Sequence, residues 1–236
     1  YTAEYTKCDN PTGLIGDPYV GKKYGEIWGY KVDGLFRNDK EAAEYASRID
    51  LSTVASGYYT ATGAYGKGVR GGDIKYLDLN GDNIVNGGKG TLDDPGDRRV
   101  IGNSSPRYQY GASLNFSWYG FDVSVFMQGI GRLDWYPGAD NLRFWGPYCR
   151  PYATFVPKNF MSQVWSEENP DAYFPRARAY TSLNSNSGTA YYTNDRYLQN
   201  LAYCRLKNLT IGYTIPRRLT SKVGIKECRI YFSGEN

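Results

Sequence analysis

The clearest periodic segment of the chain runs from residue 108 to residue 118. Aromatic or apolar side chains alternate there with small or polar ones. The first set is Tyr108, Tyr110, Ala112, Leu114, Phe116 and Trp118, and the second is Gln109, Gly111, Ser113, Asn115 and Ser117. A period of two predicts a β-strand with two different faces. The aromatic residues gather towards the ends, which is typical of a strand that faces lipid, because rings favour the two membrane interfaces.

A second alternating run follows a tight reversal at Tyr119 and Gly120. Phe121, Val123, Val125 and Met127 share one face of this run. Residues 107–131 therefore predict one long hairpin with a short turn. Arms of about ten to twelve residues exceed the usual soluble strand and match a strand that crosses a membrane. A long hairpin in a soluble β-sandwich is the alternative.

Another hairpin is predicted near the end of the sequence. Leu209, Ile211, Tyr213 and Ile215 alternate with small or polar residues. Pro216 ends that strand because proline cannot donate to a ladder of backbone hydrogen bonds. Residues 217–225 would form the turn, and residues 226–234 the returning strand.

The remaining segments predict a strand at 25–36, a short helix at 41–49 and one helical turn or more around 158–167. Asn38, followed three residues later by Glu41, is a plausible capping pair for the first helix. The rest of 37–72 is a loop rich in glycine, serine, threonine and tyrosine, and 132–196 is rich in proline, glycine, asparagine, tyrosine and tryptophan. Loops of that size usually carry function.

Composition permits a barrel and excludes a helical membrane protein. The mean hydropathy is −0.59, and no apolar run approaches the roughly 18–20 residues of a spanning helix. Barrel strands keep a low average because lipid-facing and lumen-facing residues alternate. The 24 tyrosines and five tryptophans suit a membrane interface or a sugar-binding surface. They would equally suit a soluble sheet.

The absence of histidine excludes the common hydrolytic triads and histidine-based zinc sites. No carboxylate pair stands out, so we do not expect an enzyme. The net charge of +4 is too small and dispersed for a nucleic-acid surface. The four cysteines, Cys8, Cys149, Cys204 and Cys228, have no CxxC spacing. Disulfides are permitted, but the sequence leaves their pairing open.

One segment has the character of a cation-binding loop. Asp78, Asn80 and Asp82 place oxygen ligands at alternate positions, and Gly81 allows the loop to curl. Asp93, Asp94 or Asp97 is available to complete the shell, and Asp97 is the residue we predict. The ion would be Ca²⁺ or Mg²⁺, and no other cofactor is required. The alternative is an Asx-turn loop whose side chains bond only backbone amides.

Several segments, in order, resemble the SusC/RagA family of TonB-linked outer-membrane transporters. They are GEIWGYKVDGLF at 25–36, GDIKYLDLNGD at 72–82, IGNSSP at 101–106 with YG at 110–111 and GFD at 120–122, WSEENP at 165–170, YCRLKNLTIGYTIP at 203–216 and YFSGEN at 231–236. Any one alone would be weak, but the ordered set covers nearly the whole chain. The sequence departs from the family pattern at Cys204 and at the glycine-rich insertion 87–90, and the insertion puts cation binding in doubt.

The resemblance implies an all-β fold, part of an antiparallel transmembrane barrel of about 22 strands, with long extracellular loops and short periplasmic turns. Residues 1–236 would be a C-terminal portion of that barrel, without the plug, the TonB-contacting segment or the closing strands. The parent would be a multi-pass protein of the bacterial outer membrane. It would import glycans, oligosaccharides or peptides, with a SusD-like lipoprotein and the TonB complex as partners.

The long segment 132–196 would then meet the cargo or the lipoprotein. The aromatic residues predicted for that contact are Trp135, Tyr136, Trp145, Tyr148 and Tyr152. For each of them, packing within the loop is the alternative. The competing function for the whole chain is a soluble, secreted β-rich module that binds carbohydrate.

Overall fold

The computed structural model describes residues 3–55, 69–150, 152, 154–178, 183 and 190–236. These residues are mostly strand and irregular structure, and they form two compact units. The first unit comprises Ser105–Asp134 and Asn200–Asn236, and the second comprises Thr2–Ser104 and Trp135–Gln199. No helix in the described part of the chain has both the length and the apolar character needed to cross a membrane.

The strands follow one another along the chain with few helices between them. They are β1 Glu26–Tyr30, β2 Val32–Leu35, β3 Ile74–Tyr76, β4 Arg98–Asn103, β5 Arg107–Trp118, β6 Phe121–Arg132, β7 Asp134–Trp135, β8 Gln199–Asn200, β9 Tyr203–Thr214 and β10 Arg229–Glu235. The α-helices are α1 Asp39–Ala46, α2 Leu142–Trp145 and α3 Arg217–Thr220, and 3-10 turns lie at Gly146–Tyr148, Met161–Gln163 and Ser221–Val223.

The first unit is built on a four-stranded sheet in the order β10-β9-β6-β5. All neighbouring strands are antiparallel. The predicted long hairpin is confirmed, since β5 and β6 pair from Arg107 opposite Arg132 to Trp118 opposite Phe121. Its turn residues, Tyr119 and Gly120, have φ values of 49° and 89°. Positive φ at both positions gives the tight turn whose twist matches the two strands.

The second hairpin is also confirmed, with a more structured connection than the sequence predicts. Pro216 ends β9 and precedes α3, and a 3-10 turn follows α3. The returning strand begins at Arg229 instead of residue 226. We call the end of the sheet that carries Tyr119, Gly120 and residues 215–228 the turn end.

The second unit has its own hydrophobic core, drawn from both of its chain segments. Phe36 and Tyr76 from the earlier segment belong to the same buried cluster as Trp145 and Tyr197 from the later one. Both predicted long loops therefore contribute side chains to one core, whereas residues 132–134 belong to the first unit. An ion pair also joins the segments: Arg178 contacts Asp73 at 2.7 Å, and the two side chains are only 9% and 1% exposed.

Two elements of the second unit differ from the sequence prediction. The strand predicted at 25–36 is divided, because β1 pairs with β4 whereas β2 pairs with β3. Of the segment around 158–167, where one helical turn or more is predicted, only the 3-10 turn Met161–Gln163 is helical. The amide of Trp165 donates to the carbonyl of Phe174 at 3.0 Å. Bonding to a distant segment thus replaces the bonding within a helix.

The helix predicted at 41–49 is observed as α1, which is shifted towards the N-terminus. Asn38 caps it as predicted, since its side chain accepts a hydrogen bond from the amide of Glu41 at 2.9 Å. The Glu41 carboxylate accepts from the amide of Arg37, at 2.8 Å. The two hydrogen bonds together fix where the helix begins.

Candidate functional site

The four-stranded sheet has one face that is apolar from edge to edge. Residues that stand opposite one another in antiparallel strands share a face, so the register defines rows across the sheet. Three successive rows, read from β5 to β10, are Trp118-Phe121-Tyr213-Ile230, Phe116-Val123-Ile211-Phe232 and Leu114-Val125-Leu209-Gly234. Most of the large side chains in these rows are solvent-exposed. An exposed apolar surface of this size indicates contact with a membrane or another protein.

The opposite face is mainly polar. Its rows are Ser117-Asp122-Gly212-Tyr231, Asn115-Ser124-Thr210-Ser233 and Ser113-Phe126-Asn208-Glu235. Asp122 and Arg229 form an ion pair across β9. Gly212 lies between them, and a Cβ there would come within 2.6 Å of both side chains. A larger residue at this crossing would therefore have to displace the ends of both side chains of the ion pair.

A β-bulge in β9 extends the apolar face along the strand. Phe126 and Met127 are consecutive in β6, but they stand opposite Asn208 and Leu206. Lys207 is thus the extra residue. On the far side of a bulge, each side chain lies on the opposite face from the one it would occupy in a regular strand. Leu206 consequently joins the apolar face.

Aromatic rings mark both ends of the apolar face. Trp118, Phe121 and Tyr213 lie at the turn end, and the rings of Phe121 and Tyr213 are 4.5 Å apart. Tyr110 lies at the other end, where its hydroxyl donates to the carbonyl of Tyr203 at 3.3 Å. Eight strand steps separate Tyr110 from Trp118, which is roughly 27 Å along the strand. A tilted strand of that length spans approximately the apolar band of an outer-membrane barrel.

The aromatic residues predicted for cargo or lipoprotein contact divide into two groups. Trp145 and Tyr148 are 0% and 2% exposed, so in this structure they form core, and their contact with cargo or lipoprotein stays a prediction. Burial also raises the pKa of Tyr148, whose hydroxyl donates to the carbonyl of Pro175 at 2.6 Å. Tyr136 is partly buried, and its hydroxyl donates to the carbonyl of Tyr192 at 3.1 Å.

The other two predicted residues remain accessible. Trp135 is 37% exposed and Tyr152 is 85% exposed. Phe155 and Met161, which the sequence analysis did not single out, are also largely exposed. No periodicity signals these two residues, because their segment is irregular.

The predicted cation loop is held by its own hydrogen bonds. Asp78 accepts from the amides of Gly81 and Asn83 at 2.7 and 2.9 Å. Asp82 accepts from the amide of Ile84 at 2.8 Å, and Asn80 accepts from that of Asp82 at 3.0 Å.

The fourth predicted ligand, Asp97, also accepts hydrogen bonds from backbone amides of the loop. It is completely buried, and its carboxylate accepts from the amides of Leu79, Asn80 and Asn86. The described residues contain no group of three or more acidic, cysteine or histidine side chains placed to hold a metal. The hydrogen bonds of these side chains to backbone amides are those of the Asx-turn alternative, and the cation site stays a prediction.

No family model matches the chain. TonB-dependent receptor P26 of Formosa agariphila is 28% identical over 165 residues, which cover 70% of this chain and 15% of that protein. TonB-dependent receptor P3 of the same organism is 24% identical over 216 residues, covering 92% and 18%. The chain is homologous to TonB-dependent receptors. The resemblance to TonB-linked transporters that the sequence motifs indicate is thereby confirmed.

The chain spans less than a fifth of the length of either of these receptors. Among solved structures, the RagAB peptide importer in its open-open state is similar to this chain at 15% identity and a TM-score of 0.48. The alignment covers 98% of this chain and 20% of the importer chain. The homologues are named as receptors and not as enzymes. None of the four cysteines forms a disulfide in the structure.

Proposed function

We propose that this chain forms part of the barrel wall of a TonB-dependent transporter in the bacterial outer membrane. The observation that carries the proposal is the register of the four-stranded sheet, which gathers apolar residues on one face and mainly polar residues on the other. In a barrel wall the apolar face contacts lipid and the polar face lines the lumen.

The open edges of the sheet support closure into a larger barrel. Among the described residues, neither β5 nor β10 pairs along its outer edge. Within a bilayer such edges would leave backbone amides and carbonyls without partners, at a cost of several kcal/mol each. Further strands from the rest of the parent protein would pair with them. A closed barrel of about 22 strands is the architecture we propose.

The parent transporter would import glycans, oligosaccharides or peptides through energised opening, without covalent chemistry. The TonB complex would supply the energy, and a SusD-like lipoprotein would cover the outer opening. The motif resemblance supports both partners, and the accessible aromatic residues Trp135 and Tyr152 support a protein or cargo contact on the second unit. Aromatic side chains of this kind provide much of the binding energy at interfaces.

A soluble carbohydrate-binding module fits the structure less well. A soluble sandwich covers the apolar face of each sheet with another sheet, whereas Leu114, Phe116 and Phe232 are each more than half exposed. No specific observation favours the soluble module.

The proposal is tested in cells that carry or lack the full-length protein. We expect it in the outer-membrane fraction, with uptake of a labelled oligosaccharide or peptide that ceases when the TonB complex is disrupted. A matched strain without the transporter gene supplies the background. Recovery of the full-length protein in the soluble fraction, without detergent, would overturn the proposal.

A further inference from the structure

The connection between β9 and β10 combines basic and apolar side chains on its surface. Arg217, Arg218, Lys222 and Lys226 are all exposed, and Glu227 is the one acidic residue in residues 215–228. No ion pair of the described residues involves these four cations. Apolar residues are exposed beside them, namely Leu219, Val223 and Ile225.

The connection is held in shape by backbone hydrogen bonds. The amide of Ile215 donates to the carbonyl of Cys228 at 2.9 Å, and that of Ile225 donates to the carbonyl of Thr220 at 3.1 Å. Thr220 is buried, and Gly224 takes the left-handed conformation that closes the 3-10 turn. Leu219 and Val223 are both more than half exposed within this hydrogen-bonded connection. Their exposure is therefore a property of the folded connection.

A cleft of about 540 Å³ lies between this connection and the turn of the first hairpin. Tyr119, Gly120, Arg217 and Lys226 are among the residues that line it. The aromatic residues Trp118 and Phe121 lie at the same end of the sheet, and both are more than half exposed. Basic and aromatic side chains thus lie together at the end of the apolar face.

We propose that residues 215–228 and the turn at Tyr119 form a binding surface for the phosphate groups of anionic phospholipids in the leaflet at the turn end. The inference rests on the proposed function, because it requires the apolar face to lie in a bilayer. Leu219, Val223 and Ile225 enter the boundary between headgroups and acyl chains. Arg217 and Lys226 bind the phosphate, for which the arginine guanidinium provides paired donors.

The chemistry favours phospholipid over a soluble anion. A free phosphate ion would use the cations but would leave the three exposed apolar side chains in water. Phosphatidylglycerol satisfies both parts of the surface at once. Each basic residue near an anionic membrane contributes about fivefold in binding.

The test uses the full-length protein in nanodiscs of phosphatidylcholine with a small fraction of phosphatidylglycerol. Lipids that remain bound after transfer to detergent are quantified by native mass spectrometry. We expect the protein to retain phosphatidylglycerol preferentially. The double variant Arg217→Gln/Lys226→Gln should lose at least about tenfold of that preference, and Arg217→Lys/Lys226→Arg should retain most of it.

The matched control is Lys40→Gln/Lys89→Gln, which removes two exposed charges from the other unit and should leave retention unchanged. Equal retention by the wild type and the glutamine double variant would overturn the proposal, as would displacement of the bound lipid by millimolar inorganic phosphate. Failure of the wild type to enter nanodiscs at all would instead refute the proposed barrel.

Discussion

Asp97 illustrates how one side chain holds an irregular segment in place. Its carboxylate is completely buried and accepts hydrogen bonds from backbone amides on both sides of the 78–86 loop, at Leu79 and at Asn86. A buried amide without an acceptor is costly. The loop therefore depends on Asp97 whether or not a cation is present.

Replacement of Asp97 by alanine should destabilise the second unit by about 1.5–3 kcal/mol, because hydrogen bonds to a charged acceptor are lost. Urea denaturation, followed by the emission of the buried tryptophans Trp145 and Trp165, measures this change. Asp93→Ala is the matched control, since Asp93 is exposed, and it should have little effect.

The same experiment, repeated with calcium and with a chelator, separates the two accounts of the loop. We expect the wild type to have the same stability in both solutions. If chelation destabilises the wild type as much as Asp97→Ala does, and the variant no longer responds to calcium, the predicted cation site is supported instead.

At the scale of the element, the sheet faces make different predictions for neighbouring residues of β5. Leu114 lies on the apolar face and Ser113 on the polar face. In the full-length barrel, Leu114→Arg should lower the free energy of unfolding by roughly 2–4 kcal/mol if Leu114 lies near the midplane of the bilayer. Ser113→Arg should cost much less, because the lumen is wet. The free energy of folding into lipid vesicles, measured by titration with guanidinium, gives the loss of stability in each variant. Equal losses in the two variants would contradict the assignment of the faces.

The hairpin of β5 and β6 could be predicted from the sequence because the alternation of β5 is unbroken and Phe121, Val123, Val125 and Met127 repeat it in β6. β9 could be predicted only from Asn208 onwards. The bulge at Lys207 interrupts the period of two, so the earlier half of that strand has no readable pattern. The family motif at 203–216 includes that half of the strand, but the hydrophobic period does not predict it.

The second unit shows where local pattern fails. Around 158–167, where one helical turn or more is predicted, the helical part stops at Gln163 because Val164 and Trp165 pair with the segment at Phe174. Trp145 and Tyr148 were plausible contact residues in the sequence, but the core that buries them forms from two distant segments. Such long-range packing leaves no signal in the spacing of a single segment.

At the scale of the whole molecule, the accessible aromatic residues make a prediction about the lipoprotein. In the full-length transporter, Tyr152→Ala/Phe155→Ala should reduce co-purification with the SusD-like protein. If the pair is a hot spot of the interface, its truncation costs about 2 kcal/mol or more of binding free energy, roughly a thirtyfold weaker complex at that value. Trp135→Ala should have a smaller effect because Trp135 is less exposed.

The matched control is Tyr119→Ala, which removes an equally exposed tyrosine from the turn end. That variant should leave the complex intact. Unchanged affinity in Tyr152→Ala/Phe155→Ala, with the barrel still folded, would assign these residues another role.

The account as a whole depends on which face of the sheet meets lipid. Spin labels placed singly on the full-length protein in liposomes test this directly, after replacement of the native cysteines. Labels in one row, at Leu114, Val125 and Leu209, should collide mainly with dissolved oxygen, which concentrates in the bilayer. The row on the other face, Asn115, Ser124 and Thr210, should collide mainly with a water-soluble nickel chelate. Similar exposure of both rows to the chelate would contradict the barrel wall.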